Sequence, residues 1–383
     1  MMRTFSPKKK LPRRLCAVRE IVVSLSEGRS YRVFIGPSLF LRDDWLQEVP
    51  FPSRRGVILT NDLVKVLHAE RVQRFFVQRG YAVDVVAVPD GEEHKNLATV
   101  EKVYHELLAL DLDRKSFILA LGGGVITDLA GFVASTFLRG IAYYQIPTSL
   151  LAQVDSSVGG KTGVNLEEGK NLVGTFYQPS GVFIDLSFLE TLPEREYREG
   201  LAEVAKTAFL EGKDFTTFLL EHAEDILGRK GTVLEEVVAR SIAFKKAVVE
   251  KDEREGGLRS ILNYGHTIGH ALEKAMGYGV LRHGEAVSVG MRGEAFLACA
   301  LGIGTEEVYA IQKVVLEKLG LPLRVPQKIN LNAFFSALWR DKKREGQKVR
   351  CTLLADLGKP VTGVEVEKAA ILKVLPEICE VEG

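Results

Sequence analysis

The sequence predicts an α/β domain with a mostly parallel sheet, followed by a mainly α-helical domain. Up to about residue 190, short runs rich in β-branched residues alternate with stretches whose apolar residues recur at helical spacing. This alternation is typical of a parallel sheet whose strands are joined by crossover helices. Beyond residue 190 nearly all apolar patterns have helical spacing, with almost no strand signal. A chain of 383 residues is long for a single core, so two domains are expected.

The predicted elements follow one another along the chain. Strands are predicted over residues 21–25, 32–35, 56–60, 82–88, 116–120, 142–146 and 182–185, with helices over 62–79 and 97–109. Residues 186–192 and Pro193 form a junction to helices predicted over 195–210, 215–227, 233–251, 266–276, 285–300 and 306–319. We therefore expect a basic tail over 1–20, the α/β domain over 21–190 and the helical domain over 191–383.

Composition and charge exclude several classes of function. Hydrophobic residues make up 46% of the chain and charged residues 26%, with a formal net charge of +1, which argues against nucleic acid as the partner. No apolar run approaches the roughly 20 residues that span a bilayer, and the basic N-terminal run lacks the apolar segment of a secretory signal. Cys16, Cys299, Cys351 and Cys379 have no metal-binding spacing. We expect a soluble cytoplasmic protein with reduced thiols and no membrane partner.

A glycine loop follows the predicted strand at 116–120. Gly122, Gly123 and Gly124 stand between this strand and a helix, where glycine allows close approach and a helix N-terminus offers free N–H groups to an anion. A diphosphate fits such a loop, although Thr127 occupies the position of the third glycine in the Rossmann fingerprint. A tight turn without a ligand is the alternative. The loop favours a Rossmann-like, nucleotide-binding sheet.

Two further turns carry charged side chains. The run from Val154 to Thr162 ends like a phosphate-binding P-loop, but Asp155 stands where that motif requires glycine. A carboxylate there would repel a triphosphate, so ATP hydrolysis is disfavoured, and Asp155 with Lys161 resembles a polar pair at a substrate. The turn from Asp90 to Lys95 follows another strand end, where it can hold a ribose or phosphate or be a solvated charged turn.

A glutamate and three histidines predict a metal site. The chain has 7 histidines, and His266, His270 and His283 are close together in sequence. His266 and His270 are four residues apart on a predicted helix, the spacing of a two-ligand helical metal site, and Glu203 adds a carboxylate. Spacing alone does not decide which two of the three histidines bind the metal. Lys206 shares a helix face with Glu203, which predicts an anion-binding surface beside the metal or an intrahelical ion pair.

Taken together, these residues resemble the 3-dehydroquinate synthase family, one of the sugar-phosphate cyclase families. The similarity extends from about Gly56 to Leu354. Its motifs stand in the family's order: Gly122-Gly-Gly-Val-Ile-Thr-Asp128, Arg139-Gly, Ile146-Pro-Thr-Ser149, Gln153-Val-Asp-Ser-Ser-Val-Gly-Gly-Lys-Thr162, Gly169-Lys-Asn171, Ala202-Glu-Val-Ala-Lys206, Asp252-Glu-Arg-Glu255 and His283-Gly-Glu285. The resemblance implies a dehydroquinate synthase-like fold, NAD in the first domain and a zinc or cobalt ion at the cleft between the domains.

The resemblance also implies roles for individual residues. The metal ligands it implies are Glu203, His266 and His283, while His270 becomes a proton carrier beside the metal. The NAD contacts it implies are Asp90, Gly91, Glu92, Glu93, His94, Lys95, Gly123, Gly124, Val125, Ile126, Thr127, Asp128, Thr148, Ser149, Lys161, Lys170, Phe188 and Thr191. The substrate contacts it implies are Asp155, Lys161, Lys170, Asn171, Lys206, Lys246, Arg259, Asn263 and Lys342 or Lys343. Arg139 matches an arginine that reaches the phosphate site of a partner subunit, which implies a homodimer.

The implied reaction converts 3-deoxy-D-arabino-heptulosonate 7-phosphate to 3-dehydroquinate and inorganic phosphate, a lyase step of the shikimate pathway to chorismate and the aromatic amino acids. NAD is reduced transiently and then regenerated. Three other functions compete with this interpretation. The chain could be another sugar-phosphate cyclase, a metal-dependent glycerol or alcohol dehydrogenase-like oxidoreductase that consumes NAD, or a non-catalytic NAD-binding protein. Asn171, Lys246, Arg259 and His270 together favour the dehydroquinate type.

Overall fold

The computed structural model describes residues 18–277, 279–340 and 348–381. The predicted basic tail up to residue 17, Cys16, Lys342 and Lys343 lie outside the described residues. Within the described ranges, no helix is both long enough and apolar enough to cross a membrane.

The first half alternates strands and helices, as the sequence pattern predicts. Its strands and helices are β1 (Arg19–Val23), β2 (Tyr31–Gly36), β3 (Arg55–Asn61), α1 (Asp62–Val64), α2 (Glu70–Val77), β4 (Ala82–Val88), α3 (Leu97–Ala109), β5 (Phe117–Gly122), α4 (Gly124–Thr136), β6 (Ala142–Pro147), β7 (Lys161–Leu166), β8 (Gly169–Phe176) and β9 (Gly181–Asp185). A π-helical turn, Lys65–Ala69, joins α1 to α2, and a second one, Ala152–Ser156, follows β6.

The central sheet has the strand order β1-β2-β9-β6-β5-β3-β4. All neighbouring strands are parallel except β1 and β2, which are antiparallel. Every residue of β5 and β9 is buried, as expected for strands covered on both faces. The mostly parallel, Rossmann-like sheet is therefore confirmed. Because parallel strands end at the same edge, the turns after β4, β5 and β6 are brought together there.

The second half is mainly helical. Its elements are α5 (Glu194–Glu211), α6 (Lys213–Glu221), α7 (Ala223–Leu227), α8 (Gly231–Lys251), α9 (His266–Met276), α10 (His283–Ala300), α11 (Glu306–Lys318), β10 (Lys328–Ile329), α12 (Leu331–Arg340), β11 (Lys348–Asp356), β12 (Lys359–Glu367), α13 (Lys368–Ile378) and β13 (Glu380–Val381). The helix predicted over 215–227 is wrong as one element, because His222 leaves the helical conformation (φ −111°, ψ 16°) between α6 and α7.

The sequence pattern missed two antiparallel hairpins. β7, which pairs with β8, begins at the end of the P-loop-like run. β11 pairs with β12 in the half of the chain whose sequence shows almost no strand signal. β12 is largely exposed and contains Lys, Pro, Gly and Glu, residue types depleted in strands, so its local signal is weak. Its partner β11 is held by packing against α9 and α10, a long-range interaction that local sequence does not show.

Two apolar cores position the helices that carry the histidines and Glu203. In one, side chains of the sheet such as Val33 and Ile184 pack with Leu201 and Phe209 of α5 and Val237 of α8. In the other, α9 and α10 pack with α12, α13 and β11. The first core fixes α5 against the sheet, and the second fixes α9 against α10.

Candidate metal and anion site

Glu203, His266 and His283 converge from three different helices. Glu203 lies in the middle of α5, His266 is the first residue of α9, and His283 is the first residue of α10. Oε1 of Glu203 is 3.5 Å from Nε2 of His266 and 3.5 Å from Nε2 of His283. One ligand atom from each residue lies within 4.8 Å of the others. One carboxylate and two imidazoles form a suitable donor set for zinc or a similar divalent ion.

The environment of Glu203 fits a bound cation. Its side chain is only 1% exposed, and Oε1 receives no hydrogen bond from any residue that the structure describes. A buried carboxylate oxygen normally has a donor or a metal as partner. The oxygen instead faces the two imidazole nitrogens, so a metal ion among the three side chains would satisfy it.

Two of the three side chains, Glu203 and His266, have the charge state that suits metal binding. Burial alone would raise the pKa of Glu203, but the charge of Lys206 and the two imidazoles of His266 and His283 lower it well below its usual range. Burial, together with the charge of Lys206, lowers the pKa of His266 well below its usual range. Glu203 is therefore ionised and His266 neutral at neutral pH, the states that ligate a metal. Burial would lower the pKa of His283, but the carboxylates of Glu203 and Glu273 raise it to about 10, so a metal must displace the proton on Nε2 of His283.

Neighbouring groups orient both imidazoles. Nδ1 of His266 lies 3.1 Å from the carbonyl oxygen of Tyr264, which can only accept, so Nδ1 carries the proton. Nδ1 of His283 faces Oε2 of Glu273 at 3.9 Å. These contacts leave Nε2 of each ring directed at Glu203, the arrangement by which outer partners orient metal-ligating histidines.

His270 lies beside the trio rather than in it. It is exposed one turn along α9, and its ring centroid is 5.2 Å from that of His266 and 5.8 Å from that of His283. The spacing of the three histidines does not decide which two of them bind the metal. The structure groups His266 and His283 with Glu203 and puts His270 within reach of a molecule bound at the metal.

Buried cations adjoin the trio. The ammonium group of Lys206, 2% exposed, contacts Oε2 of Glu203. Nζ of Lys245 donates to Oδ1 of Asp155 at 2.6 Å and to its carbonyl oxygen at 2.7 Å. Arg259, 3% exposed, donates to the carbonyl oxygens of Gly159 (3.2 Å) and Glu253 (2.6 Å). Carboxylates such as Glu203 and Asp155 partly compensate these three buried cations, which still offer charged donors to an anionic substrate.

Lys245, not the predicted Lys246, reaches this surface. Lys245 is 8% exposed, whereas Nζ of Lys246 lies 3.7 Å from Glu250 in a partly exposed ion pair one turn along α8. Helix phase carries the missed signal, because Lys245 shares its face with the apolar Ile242 and Val249, at i−3 and i+4. Burial lowers the pKa of Lys245, against the charge of Asp155.

The glycine loop and the predicted nucleotide turn meet at one edge of the sheet. Gly123 caps α4, and a Cβ on it would lie 3.3 Å from Oγ of Ser149. Thr148 donates its backbone N–H to Gly122 at 2.9 Å, and Val125, Ile126 and Thr127 follow in the first turn of α4. The free N–H groups at this helix N-terminus could receive a diphosphate.

Lys95 ties the same edge to the β7–β8 hairpin. It is 3% exposed, and Nζ donates to Oδ2 of Asp128 and to Oδ1 of Asn171, both at 2.6 Å. The side chain of Glu92 accepts from Nδ2 of Asn165 at 2.7 Å. Gly91 has φ +119°, which favours glycine. Of the other predicted residues of this turn, Asp90 and Glu93 are exposed and His94 is partly exposed.

The remaining predicted residues lie in five places. Lys161 pairs with Glu255, and Nζ of Lys170 lies 2.6 Å from Oε1 of Glu273. Asn263 is exposed just before α9. Arg139 is exposed with φ +70°, after Leu138 with φ +51°. Phe188 is fully buried among aromatic rings, and Oγ1 of Thr191 lies 2.8 Å from Nε2 of His68.

Two family models and curated relatives match most of the chain. The family model described as 3-dehydroquinate synthase N-terminal matches residues 85–199, and the one described as 3-dehydroquinate synthase C-terminal matches residues 200–344. A 3-dehydroquinate synthase of Geotalea uraniireducens is 46% identical over 327 residues, covering 85% of this chain and 90% of that protein.

Solved structures of two other cyclases are also similar. A 2-deoxy-scyllo-inosose synthase complexed with carbaglucose-6-phosphate, NAD+ and Co2+ is 29% identical, with a TM-score of 0.85 over 94% of this chain and 99% of that one. The 2-epi-5-epi-valiolone synthase of Streptomyces hygroscopicus, with NAD+ and Zn2+ bound, is 28% identical, with a TM-score of 0.82 over 90% of this chain and 96% of that one.

Proposed function

The chain belongs to the 3-dehydroquinate synthase family and is a phosphate-eliminating cyclase, and we propose how its residues convert 3-deoxy-D-arabino-heptulosonate 7-phosphate into 3-dehydroquinate and inorganic phosphate. The observation that carries the proposal is the contact between two sites. The Glu203, His266 and His283 trio lies directly against the buried cations, through the ion pair of Glu203 with Lys206. A substrate that offers a hydroxyl to a metal and anionic groups to lysines and arginine fits this arrangement.

Glu203, His266 and His283 would hold a zinc or cobalt ion, as the structural relatives with Co2+ and Zn2+ support. When bound, the ion lowers the pKa of a substrate hydroxyl and so eases its oxidation. The contact of Nδ1 of His266 with Tyr264 holds that ring in the ligating tautomer, and the contact of Nδ1 of His283 with Glu273 orients the second ring. These protein groups therefore prepare the ligand set before any substrate arrives.

NAD would lie along the sheet edge, with its diphosphate at Gly123, Gly124 and the N-terminus of α4. The two NAD-bound relatives support this cofactor. Bound there, NAD would supply a hydride acceptor for the substrate carbon that is regenerated in each turnover. Lys95, held by Asp128 and Asn171, would fix the cofactor edge to the β7–β8 hairpin.

The buried cations would bind the phosphate and carboxylate groups of the substrate. Lys206, Lys245 and Arg259 are each less than 10% exposed, so their attraction for an anion is weakly screened. Oxidation next to the reacting carbon acidifies its proton, and loss of that proton expels the phosphate. The departing phosphate can take the proton itself, while His270, exposed beside the trio, would carry protons in the later steps. Positioning supplies a large part of catalysis at such a site.

Competing functions fit the observations less well. Another cyclase specificity is disfavoured because identity to the Geotalea uraniireducens 3-dehydroquinate synthase is 46%, against 29% and 28% for the two other cyclases. A glycerol or alcohol dehydrogenase has no use for three buried cations around the substrate. A non-catalytic protein would not need to keep the metal trio, the cations and the glycine loop together.

We also propose that the enzyme is a cytoplasmic homodimer. Exposed apolar residues of the β7–β8 hairpin, Leu166 (39%), Leu172 (58%) and Phe176 (45%), offer an apolar surface to a second copy. Arg139 presents its guanidinium at the surface, where a partner's phosphate site could receive it. Each subunit would consist of an α/β domain over 21–190 and a helical domain over 191–383, with substrate bound between them. Sedimentation of wild type and Leu172→Glu tests the dimer, because a charge in the apolar surface should favour monomer.

The reaction is tested by following three quantities in one assay. We expect phosphate and 3-dehydroquinate to appear in equal amounts from the heptulosonate phosphate, only when NAD and a divalent metal are present. Net NADH should not accumulate. Steady NADH formation without phosphate release would show a dehydrogenase instead.

A further inference from the structure

We propose that Glu294 is a positioning residue that sets metal affinity by tying the start of α9, with His266, to α10, with His283. It rests on the proposed function only in taking Glu203, His266 and His283 as metal ligands. Glu294 belongs to α10, eleven residues after His283. Nothing in the family motifs of the sequence singles it out.

Glu294 holds two backbone amides at the start of α9. Its side chain is 0% exposed, Oε2 accepts from the N–H of Gly265 at 2.6 Å, and Oε1 accepts from the N–H of Ile268 at 3.3 Å. A carboxylate is unfavourable in a protein interior unless donors satisfy it. The N–H groups of a helix N-terminus lack partners within the helix and favour a negative charge. The N–H groups at the start of α9 therefore satisfy the buried carboxylate of Glu294.

The held segment brackets a metal ligand. His266 lies between Gly265 and Ile268, the two residues that Glu294 binds. Tyr264, whose carbonyl oxygen accepts from Nδ1 of His266, is itself anchored: its hydroxyl donates to Oε1 of Gln312 at 2.5 Å. The backbone that orients the imidazole is thus fixed from two sides, and Glu294 supplies the side facing α10.

The packing of α9 on α10 explains why an anchor is needed. The two helices touch backbone to backbone, because a Cβ on Gly290 would lie 2.0 Å from the carbonyl oxygen of Gly265. A Cβ on Gly269 would likewise lie 2.9 Å from the carbonyl oxygen of Ala286. Glycine contacts set the distance between helices, but they have no side chains that interlock and prevent sliding along the axis. Two directional hydrogen bonds to Glu294 fix that register, and with it the separation of His266 and His283.

The alternative is that Glu294 only stabilises the fold as a buried helix cap. The two roles differ in what they predict for metal binding. A cap alone would change the unfolding free energy and leave the metal dissociation constant unchanged in the folded variant. A positioning residue would change the dissociation constant, since outer partners of ligating histidines typically alter affinity about 10–100-fold.

The test compares Glu294→Gln with Ser288→Ala. Gln keeps the shape but replaces one acceptor oxygen by an NH2 group that cannot accept from an N–H. Ser288 is a matched control: it is also 0% exposed on α10, but its hydroxyl bonds the carbonyl oxygen of Pro322 at 2.8 Å. Zinc and cobalt dissociation constants are measured by competition with a chelator, with the absorption spectrum of the cobalt form and urea unfolding of the metal-free proteins.

We expect Glu294→Gln to bind zinc and cobalt about 10–100-fold more weakly, with an altered cobalt spectrum, and Ser288→Ala to stay within about twofold of wild type. Wild-type affinity in a folded Glu294→Gln protein would overturn the proposal. If that variant does not fold, Glu294→Asp, which keeps the charge on a shorter side chain, decides in the same way. The titration uses metal alone, so failure of wild type to turn over substrate would refute the proposed reaction separately.

Discussion

Adjacent lysines on α8 provide a sharp test of the substrate surface. Lys245 is buried and bonds Asp155, whereas Lys246 is partly exposed and faces Glu250 at 3.7 Å. Methionine replaces either side chain with a similar length and no charge. Because both residues share one helix and one residue type, Lys245→Met and Lys246→Met differ almost only in what the ammonium group touches.

The structure gives different magnitudes for the two changes. Lys245→Met leaves the partly buried Asp155 carboxylate without its 2.6 Å partner, so the change should cost between the about 0–1 kcal/mol of an exposed pair and the about 3–5 kcal/mol of a fully buried one. Lys246→Met removes an ion pair of the kind worth about 0–1 kcal/mol. If Lys245 also binds the substrate anion, loss of one such charged donor should lower kcat about 100-fold or more. Lys246→Met should leave kcat within about twofold, as expected for a rim position.

The assay is phosphate release from the heptulosonate phosphate, with urea unfolding of each variant as the control for stability. Turnover is measured only under conditions where both variants are folded. The reasoning is refuted if Lys246→Met loses more activity than Lys245→Met, or if folded Lys245→Met keeps the wild-type kcat and KM.

Three further predictions concern the metal trio, the helix contact and pH. Glu203→Gln should abolish detectable turnover and weaken zinc retention, because it removes the charged ligand; unchanged zinc content after dialysis against chelator would contradict this. Gly290→Ala should destabilise the protein by about 1–3 kcal/mol in urea unfolding, since the new methyl meets the carbonyl oxygen of Gly265 at 2.0 Å; wild-type stability would show that α9 and α10 separate freely. Burial, helped by the charge of Arg71, lowers the pKa of His68 to about 4, below the ordinary 6.5. The unfolded state therefore binds this proton more readily than the folded state does. The contribution of neutral His68 to the free energy of unfolding is intact above about pH 6.5 and falls by at most about 3 kcal/mol as the pH decreases towards about 4. His68→Gln should flatten that part of the stability–pH curve, and an unchanged slope would refute the assignment.

The sequence predicted the layers of the fold because each layer has a local signal. Buried runs such as β5 are apolar throughout, and the glycines after β5 mark the turn into α4. Motif order pointed to Glu203, His266 and His283, which the structure brings within 4.8 Å of one another. Spacing alone could not separate His270 from His283, because three helices from distant parts of the chain build the cluster.

What the sequence did not predict depends on helix phase and long-range packing. Lys245 and Lys246 are the same residue type, and only the position of the apolar face of α8 shows which of them is buried. The β11–β12 hairpin is hidden because β12 has few buried positions. Glu294 looks like an ordinary surface glutamate until the glycine contacts of α9 and α10 bring it to two backbone amides.

The most direct test of the account is a single reaction that follows phosphate, 3-dehydroquinate and NADH together. Metal-free enzyme is given the heptulosonate phosphate and NAD, and then zinc or cobalt. We predict no product before the metal is added, and afterwards one phosphate for each 3-dehydroquinate with no net NADH. Full-rate phosphate release without metal, or NADH accumulating in step with substrate loss, would contradict the account.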